Sequence, residues 1–384
     1  MNFTRSLAEL EARGLRRTRR TVTPLPRGRC RVDGRECVNF STNDYLDLAG
    51  DARLIAAAET VLKRDGCGAR ASALVSGRTE WHERLERRIA EFEGERAAIL
   101  FPTGYAANLG TITALAGAED VVFCERRNHA SLIDGCRLSG AKFRVYRHDR
   151  LHALERELDK AAGCRRRWIV TDALFSMDGD LAPLRELCEL ADRFEAGAIV
   201  DEAHGTGVFG ENGRGVCEHF GVERRVIRVG TLSKAVGCLG GFVAGSQELV
   251  DSLWNMARPQ IFSTALPPAV CAAAAAAFDV IEQSPLRRER VRQLGERLRD
   301  RLRARGVAIP ESCVAPIVPV IIGEPEPTVD LSRRLFERGF FVPAIRPPTV
   351  PHGTARLRIS LSCAHDEEHV DALAAAIVKT HMTP

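Results

Sequence analysis

Short apolar runs alternate with amphipathic stretches along most of this chain. Ala97–Phe101, Val121–Cys124, Lys142–Tyr146, Trp168–Thr171, Ala198–Val200, Val226–Val229 and Gly241–Ala244 read as buried strands. Between them, the spacing of apolar positions predicts helices such as Asn108–Leu115 and Leu184–Phe194. Strands that alternate with helices make a mostly parallel sheet with helices on both faces. The chain ahead of this region is different. Leu7, Leu10 and Leu15 predict one amphipathic helix. The extended run Cys30–Cys37 carries Asp33-Gly34 at its middle and reads as a hairpin. After it come a charged helix over Leu286–Arg305 and a strand over Val314–Ile322. Pro316 and Pro319 place that strand at a sheet edge. A helix near Leu331–Arg338, a Pro-rich loop from Pro343 to Pro351, a strand over Arg356–Leu361 and a helix from Glu367 to Lys379 complete the pattern. The expected organisation is an N-terminal helix and hairpin over 1–45, a large α/β domain over 46–275 and a smaller α+β C-terminal domain over 276–384.

Composition narrows the class without choosing a function. The chain has 384 residues, 45% hydrophobic and 28% charged, and a net charge of +4. Arginines alternate with acids, which predicts a solvated mixed-charge surface and no nucleic-acid face. No run of about 20 apolar residues is present, so no membrane span is expected. The first residues lack an apolar signal core, which predicts a cytosolic protein. Twelve scattered cysteines without a Cys-x-x-Cys pair predict reduced thiols, with no metal site.

Candidate chemistry concentrates where strands end. Lys63, Lys142, Lys160, Lys234 and Lys379 are the lysines. Four sit in charged helices or at strand edges and fit solvent-exposed roles. Lys234 instead follows the strand Val226–Val229, among small residues and before the Gly-rich stretch Gly237–Gly241. A desolvated lysine loses its proton more readily and can form an imine. Asp201 follows the strand Ala198–Val200, with His204 three residues on. A carboxylate there suits a pyridinium nitrogen, although a capping Asp and a structural His are the plainer alternative. Two look-alikes share this segment. Asp201-Glu202-Ala203-His204 spells a helicase box, but the chain has no Gly-x-x-x-x-Gly-Lys-Ser/Thr phosphate loop. Gly205-Thr206-Gly207-Val208-Phe209-Gly210 matches a dinucleotide fingerprint but runs into a second Gly-rich stretch that reads as loop. Phe101-Pro102-Thr103-Gly104-Tyr105 links a strand to a helix start, where backbone N–H groups bind phosphate, and Thr231 offers a hydroxyl. An ordinary strand–helix turn reads the same way. His129 follows the strand Val121–Cys124, at the end where open α/β sheets bind ligands. Arg356 and Arg358 share one face of their strand and could grip a carboxylate or lie on the surface.

In this order the pieces resemble the α-oxoamine synthases, a branch of the fold-type I pyridoxal 5'-phosphate transferases. The likeness runs from Asn39-Phe40-Ser41-Thr42-Asn43-Asp44-Tyr45-Leu46 to Ser362-Cys363-Ala364-His365. Phe175-Ser176-Met177-Asp178-Gly179-Asp180, Asp201–Gly207 and Thr231-Leu232-Ser233-Lys234 carry most of it. The resemblance implies pyridoxal 5'-phosphate as a Schiff base on Lys234, with Lys234 later moving protons at the substrate Cα. It implies Asp201 at the pyridine nitrogen, Ser176 and His204 at the ring oxygen, and His129 stacked on the ring. Gly104, Tyr105 and Thr231 serve the phosphate. Arg358 holds the amino-acid carboxylate, and Arg16 and Thr349 contact substrate. Ser263-Thr264 implies a homodimer with shared active sites. The stretch Ala344–Pro351 resembles the biotin-pathway members, which condense L-alanine with a pimeloyl thioester on CoA or an acyl carrier protein. Another member using glycine or serine, or a non-catalytic partner subunit, is the alternative. One departure from the family is visible: Arg70 and Ala71 stand where smaller residues or glycine are common, in a loop expected to border the acyl channel.

Overall fold

Runs of aliphatic and β-branched side chains, broken by glycine and charged turns, set the strands of this chain. A computed structural model describes residues 3–381. Its first strands are β1 (Val22–Leu25), β2 (Arg29–Val32) and β3 (Arg35–Asn39). Next come β4 (Ala97–Phe101), β5 (Val121–Glu125), β6 (Lys142–Tyr146), β7 (Arg167–Asp172), β8 (Gly197–Asp201), β9 (Ile227–Thr231) and β10 (Gly241–Gly245). The last are β11 (Ile317–Gly323), β12 (Phe340–Phe341), β13 (Ala344–Ile345) and β14 (Ala355–Ser360). The chain divides into two compact units. One takes in the chain up to Tyr45, Ser176–Asp180 and everything from Glu289 on; the other takes in Leu46–Phe175 and Leu181–Arg288.

The second unit is built on a seven-stranded sheet in the order β4-β10-β9-β8-β7-β5-β6. The pairs β9–β8, β8–β7, β7–β5 and β5–β6 are parallel, and β10 is antiparallel to both of its neighbours. Both faces of the sheet are covered, so its inner strands are apolar throughout. Ile99, Val122, Val170, Ile199, Val229 and Val243 pack with Ala107, Ile112, Leu132 and Leu253 from the helices. The chain leaves β5 for β6 on one side and returns to β7 on the other. Carboxyl ends of strands at such a reversal leave a crevice where ligands bind. Glu125, Asp172, Asp201 and Thr231 are the last residues of β5, β7, β8 and β9. Asp172 and Asp201 lie opposite each other in register.

One buried charge ties this sheet to its helices. Arg228 on β9 is 2% exposed. It meets the Glu93 carboxylate, the Glu93 carbonyl at 3.0 Å and Glu95 at 2.6 Å.

The first unit holds two small sheets, β1-β2-β3-β12 and β11-β14-β13. Asp33 and Gly34 have φ of 48° and 87°, so the expected hairpin turn is left-handed at both positions. β3 pairs with β12 in parallel, Val38 against Phe340. Residues 1–45, expected as a segment of their own, are therefore stitched by main-chain hydrogen bonds to residues near 340. β11 is an edge strand carrying Pro319, as the prolines predict. The N-terminal helix differs from expectation. It spans Phe3–Ala12 with no buried residue; Leu7 and Leu10 are exposed on it, and the buried Leu15 lies past its end. Apolar spacing alone set that expectation, and nothing in its own unit covers those two leucines.

Replacing Arg228 by Leu removes the partner of two acidic groups without emptying the site. The substitution should destabilise the protein by about 3–5 kcal/mol. Denaturant titration of the two forms checks this.

Candidate active site

The sheet's carboxyl edge in the second unit gathers the polar groups that the apolar strands cannot hold. Asp201, at the end of β8, is buried. Its Oδ1 accepts from the Ala203 N–H at 2.7 Å, and its Oδ2 accepts from Asn108 Nδ2 at 2.6 Å. Asn108 lies on the helix Gly104–Leu115 and also donates to Ser131 Oγ at 2.9 Å. Ser131 Oγ is 2.7 Å from His129 Nδ1. His129 caps the helix Ala130–Leu138, its Nδ1 accepting the Ser131 N–H.

A second carboxyl stands beside Asp201. Asp172 Oδ2 accepts the His129 N–H at 2.6 Å, and the Asp172 N–H donates to Asn128 Oδ1 at 2.9 Å. Asn128 itself donates to the Val170 carbonyl at 2.9 Å. Burial, then repulsion from Asp201, pushes the Asp172 carboxyl well above the usual range, while Lys234 pulls it down. His129 is held below the usual imidazole range, first by burial. Asp201 and Asp134 raise it and Lys234 lowers it. These couplings bring Lys234, Asp201, Asp172 and His129 into one electrostatic cluster.

Lys234 lies in the loop between β9 and β10. The Leu232 N–H donates to the Gly240 carbonyl at 3.0 Å and the Cys238 N–H to the Leu232 carbonyl at 2.7 Å, closing the loop on itself. Gly237 at φ 73° donates to the Lys234 carbonyl at 2.9 Å. A Cβ on Gly237 would come within 2.5 Å of the Ala49 nitrogen, so the turn needs glycine.

Beside this loop starts the helix Gly104–Leu115, capped by Thr103 Oγ1 accepting from the Ala106 N–H at 3.0 Å. Gly104 faces Thr231: a Cβ there would stand 3.0 Å from Thr231 Oγ1. Glycine lets the helix start, with its N–H groups that have no partner inside the helix, lie against Thr231, whose hydroxyl donates to the Gly240 carbonyl at 3.0 Å. Tyr105 donates its hydroxyl to Asp134, and its ring stands edge-on to His129 with centroids 6.3 Å apart. His204 is buried in the turns after β8. Glu202 is structural, accepting the N–H groups of Val216 and Cys217 at 2.9 and 2.6 Å. The Gly205–Gly210 stretch forms turns, as the sequence pattern predicts, and no helix starts there. A helix start with N–H groups to offer, a held carboxyl and an amine on one sheet edge fit pyridoxal 5'-phosphate. Gly104, Tyr105 and Thr231 could take its phosphate, Asp201 its ring nitrogen and Lys234 its aldehyde.

The first unit carries a separate polar set. Arg356 and Arg358 share a face of β14, as their spacing predicts. Arg356 reaches the Met177 carbonyl at 3.1 Å and Asp178 Oδ1 at 2.7 Å. Arg358 donates to the Ser176 carbonyl at 2.6 Å and to Asn43 Oδ1 at 3.2 Å. Arg346 reaches the Arg16 carbonyl at 2.6 Å, and the Thr349 N–H donates to the Arg346 carbonyl at 3.2 Å. Ser176 thus lies with Arg358, and Arg16 with Arg346 and Thr349.

Asn108, Asn128, Ser131 and Asp172 have no assigned role in the sequence reading. Asp172 ends an apolar strand as Asp201 does, and that signal could have found it. Arg70, the departure noted above, stands at φ 68°, in the left-handed region that favours glycine, and donates to the Asp65 carbonyl at 2.9 Å.

Comparison with known proteins gives the family. Residues 35–377 match the family "Aminotransferase class I and II". The 8-amino-7-oxononanoate synthase of Geobacter sulfurreducens is 48% identical over 384 residues, covering 98% of each chain. The serine palmitoyltransferase of Sphingomonas wittichii superposes with a TM-score of 0.92 at 34% identity, covering 98% of this chain and 96% of that one. A structure of SPT with PLP superposes with a TM-score of 0.93 at 31% identity and the same coverage. The chain belongs to the aminotransferase class I and II family and, within it, to the α-oxoamine synthase branch of fold-type I transferases.

Proposed function

We propose that this chain is an 8-amino-7-oxononanoate synthase: it condenses L-alanine with a pimeloyl thioester, on CoA or an acyl carrier protein, in biotin biosynthesis. Its cofactor is pyridoxal 5'-phosphate. The observation that carries the reading is the cluster of Lys234, Asp201 and His129 at the sheet's carboxyl edge, in a chain 48% identical over its length to a synthase of that name.

When bound, pyridoxal phosphate supplies an aldehyde that joins amines and a ring that draws electrons from the substrate Cα. Asp201, fixed by Asn108 and the Ala203 N–H, would pair with the ring nitrogen. Gly104, Tyr105 and Thr231 would hold the phosphate and His129 would stack on the ring; the family resemblance assigns His204 and Ser176 to the ring oxygen. Arg358 holds the alanine carboxylate, with Arg16 and Thr349 toward the rest of the substrate. Lys234 takes the proton from the alanine Cα and returns one at the end. Between these transfers a bond forms from that Cα to the acyl carbonyl carbon. The thiol leaves, and the β-keto acid loses CO₂.

The working form is a homodimer with shared active sites in the cytosol. Val75 and Phe262 support the dimer: they are 78% and 70% exposed. They flank the bridge between Ser72 and Thr264. Large apolar side chains left in water mark contact surfaces. Twelve separate thiols suit a reducing compartment. The loop at Arg70 borders the acyl channel.

A panel of amino acids and thioesters tests the activity. Alanine with pimeloyl-CoA or pimeloyl-carrier should give the highest kcat/KM. Faster turnover of glycine with acetyl-CoA, or of serine with palmitoyl-CoA, would overturn the assignment. Lys234→Ala should lower kcat by at least about 10²–10⁴-fold, as loss of a positioned proton carrier does. Near-native turnover in a folded variant contradicts its role. Gly104→Val fills the corner against Thr231, so the cofactor dissociation constant should rise by about tenfold or more. Fluorescence titration of the apoenzyme measures it.

A further inference from the structure

Four residues from three separate places in the chain form a single line of hydrogen bonds. Asn108 Nδ2 is 2.6 Å from Asp201 Oδ2 and 2.9 Å from Ser131 Oγ, and Ser131 Oγ is 2.7 Å from His129 Nδ1. Asn108 is 2% exposed and Ser131 0%. We propose that Asn108 and Ser131 are positioning residues that fix His129 as the neutral imidazole with its single proton on Nε2, and tie its orientation to the carboxylate of Asp201.

The direction of each bond follows from what each group can donate. A carboxylate only accepts, so the amide must turn its NH₂ toward Asp201. The opposite orientation would set two acceptors face to face, and amide orientation is settled by such partners. Both Nδ2 protons are then spent, one on Asp201 and one on Ser131. The Ser131 oxygen accepts that second proton, which leaves its own single proton to donate. Its remaining neighbour on this line is His129 Nδ1. The backbone fixes the direction: the Ser131 N–H also points at Nδ1, at 3.3 Å, so Nδ1 is an acceptor and takes the hydroxyl proton as well. A neutral imidazole that accepts at Nδ1 carries its proton at Nε2. The opposite end of the amide shows how far the site favours its donors, because Asn108 Oδ1 is buried with no hydrogen-bond partner among the described residues.

Other charges face the ring. Asp201 lies at the end of β8, Asp172 on the His129 N–H at the end of β7, Lys234 after β9, and Asp134 on the helix Ala130–Leu138. Tyr105 stands edge-on from its own helix. Burial and Lys234 favour the neutral ring and the two acids Asp201 and Asp134 oppose them, so charge alone leaves the tautomer open. The relay decides it. A hydroxyl that donates to Nδ1 stabilises the neutral ring, so its removal must raise the pH at which His129 titrates.

The inference uses the pyridoxal phosphate reading only to choose the holoenzyme as the sample. Product formation in the substrate panel tests that reading; the nitrogen signals of one histidine test the relay, so the two can fail separately. Holoenzyme with ring-¹⁵N histidine gives ten histidine spin systems from the sequence, and His129 is the one lost in His129→Asn. The expected result is a protonated Nε2 and a bare Nδ1. Ser131→Ala should raise the His129 titration midpoint by about half a pH unit to one, the size of one hydrogen bond. Asn108→Ala should move it the same way by less, and the double variant no further than Ser131→Ala alone, because both act through one line. A wild-type His129 protonated at Nδ1 overturns the proposal whatever the variants do. So does a midpoint unmoved by Ser131→Ala in a folded protein. If that variant does not fold, the wild-type tautomer decides.

Discussion

Two carboxyl groups side by side at the buried edge of a parallel sheet are the constraint on which this site depends. Asp172 and Asp201 face each other in register on β7 and β8. Strands in a sheet run about 4.8 Å apart, and both groups are buried. Two negative charges so placed in a low-dielectric interior repel strongly. The surrounding residues resolve the conflict. Asp172 is pushed toward its neutral form and spends its oxygen on the His129 N–H. Asp201 is given two donors, and Lys234 acts on Asp172 and His129 beside it. The outcome is one carboxyl held by two donors, the one proposed above for the ring nitrogen, with its neighbour turned into a brace for His129. The donors and the lysine make sense as answers to that pair.

How much of this the sequence disclosed depends on distance along the chain. The strands were legible because burial on both faces makes them apolar runs, and each strand of the large sheet was found to within about two residues at its ends. Residues that directly follow such a run were legible too. Lys234, Asp201, His129 and Thr231 announce themselves by standing next to β9, β8, β5 and β9, at the end where ligands bind. Asn108 gives no such signal. It is a single amide in a helix, 93 residues from the carboxylate it holds. Only the packing of that helix on β9 and β10 brings it to the end of β8, where its partner is. Asn128 and Ser131 flank His129 and look like ordinary turn and cap residues until Asp172 and Asn108 arrive from elsewhere. The N-terminal helix misled for the opposite reason. Its leucines have helical spacing, but spacing records that a face is apolar, and the cover for that face does not come from its own unit.

The arginines show the same split between local and distant information. The alternation of Arg356, Leu357 and Arg358 put both guanidinium groups on one face from sequence alone. Their partners were not legible. Both bond the turn Ser176–Asp178, which lies about 180 residues earlier and is conspicuous in sequence only as a family motif. That turn joins the first unit although the chain on both sides of it belongs to the second. A buried arginine is costly unless its donors are met. The three carbonyl and carboxylate bonds to this turn meet that cost and explain why so short a segment clusters with β14.

The single antiparallel strand of the large sheet explains why Lys234 and the Gly104–Thr231 corner occur together. Were β10 parallel, a crossover of a dozen or more residues would have to carry the chain from the end of β9 back to the opposite edge. Instead β10 starts at the edge where β9 stops, so the whole connection is the short loop from Leu232 to Gly240 that holds Lys234. The same reversal sets the register. Gly241 lies opposite Thr231 on one side and Phe101 on the other. Thr231 is thereby brought to the start of the helix that follows β4, against Gly104. The fit is so close that a Cβ on Gly241 would come within 2.5 Å of the Thr103 carbonyl oxygen. A residue with a side chain there would push the helix start off the sheet and pull Gly104 away from Thr231. One change of strand direction, with glycine at the junction, therefore places an amine and a helix start at neighbouring points of one rigid edge.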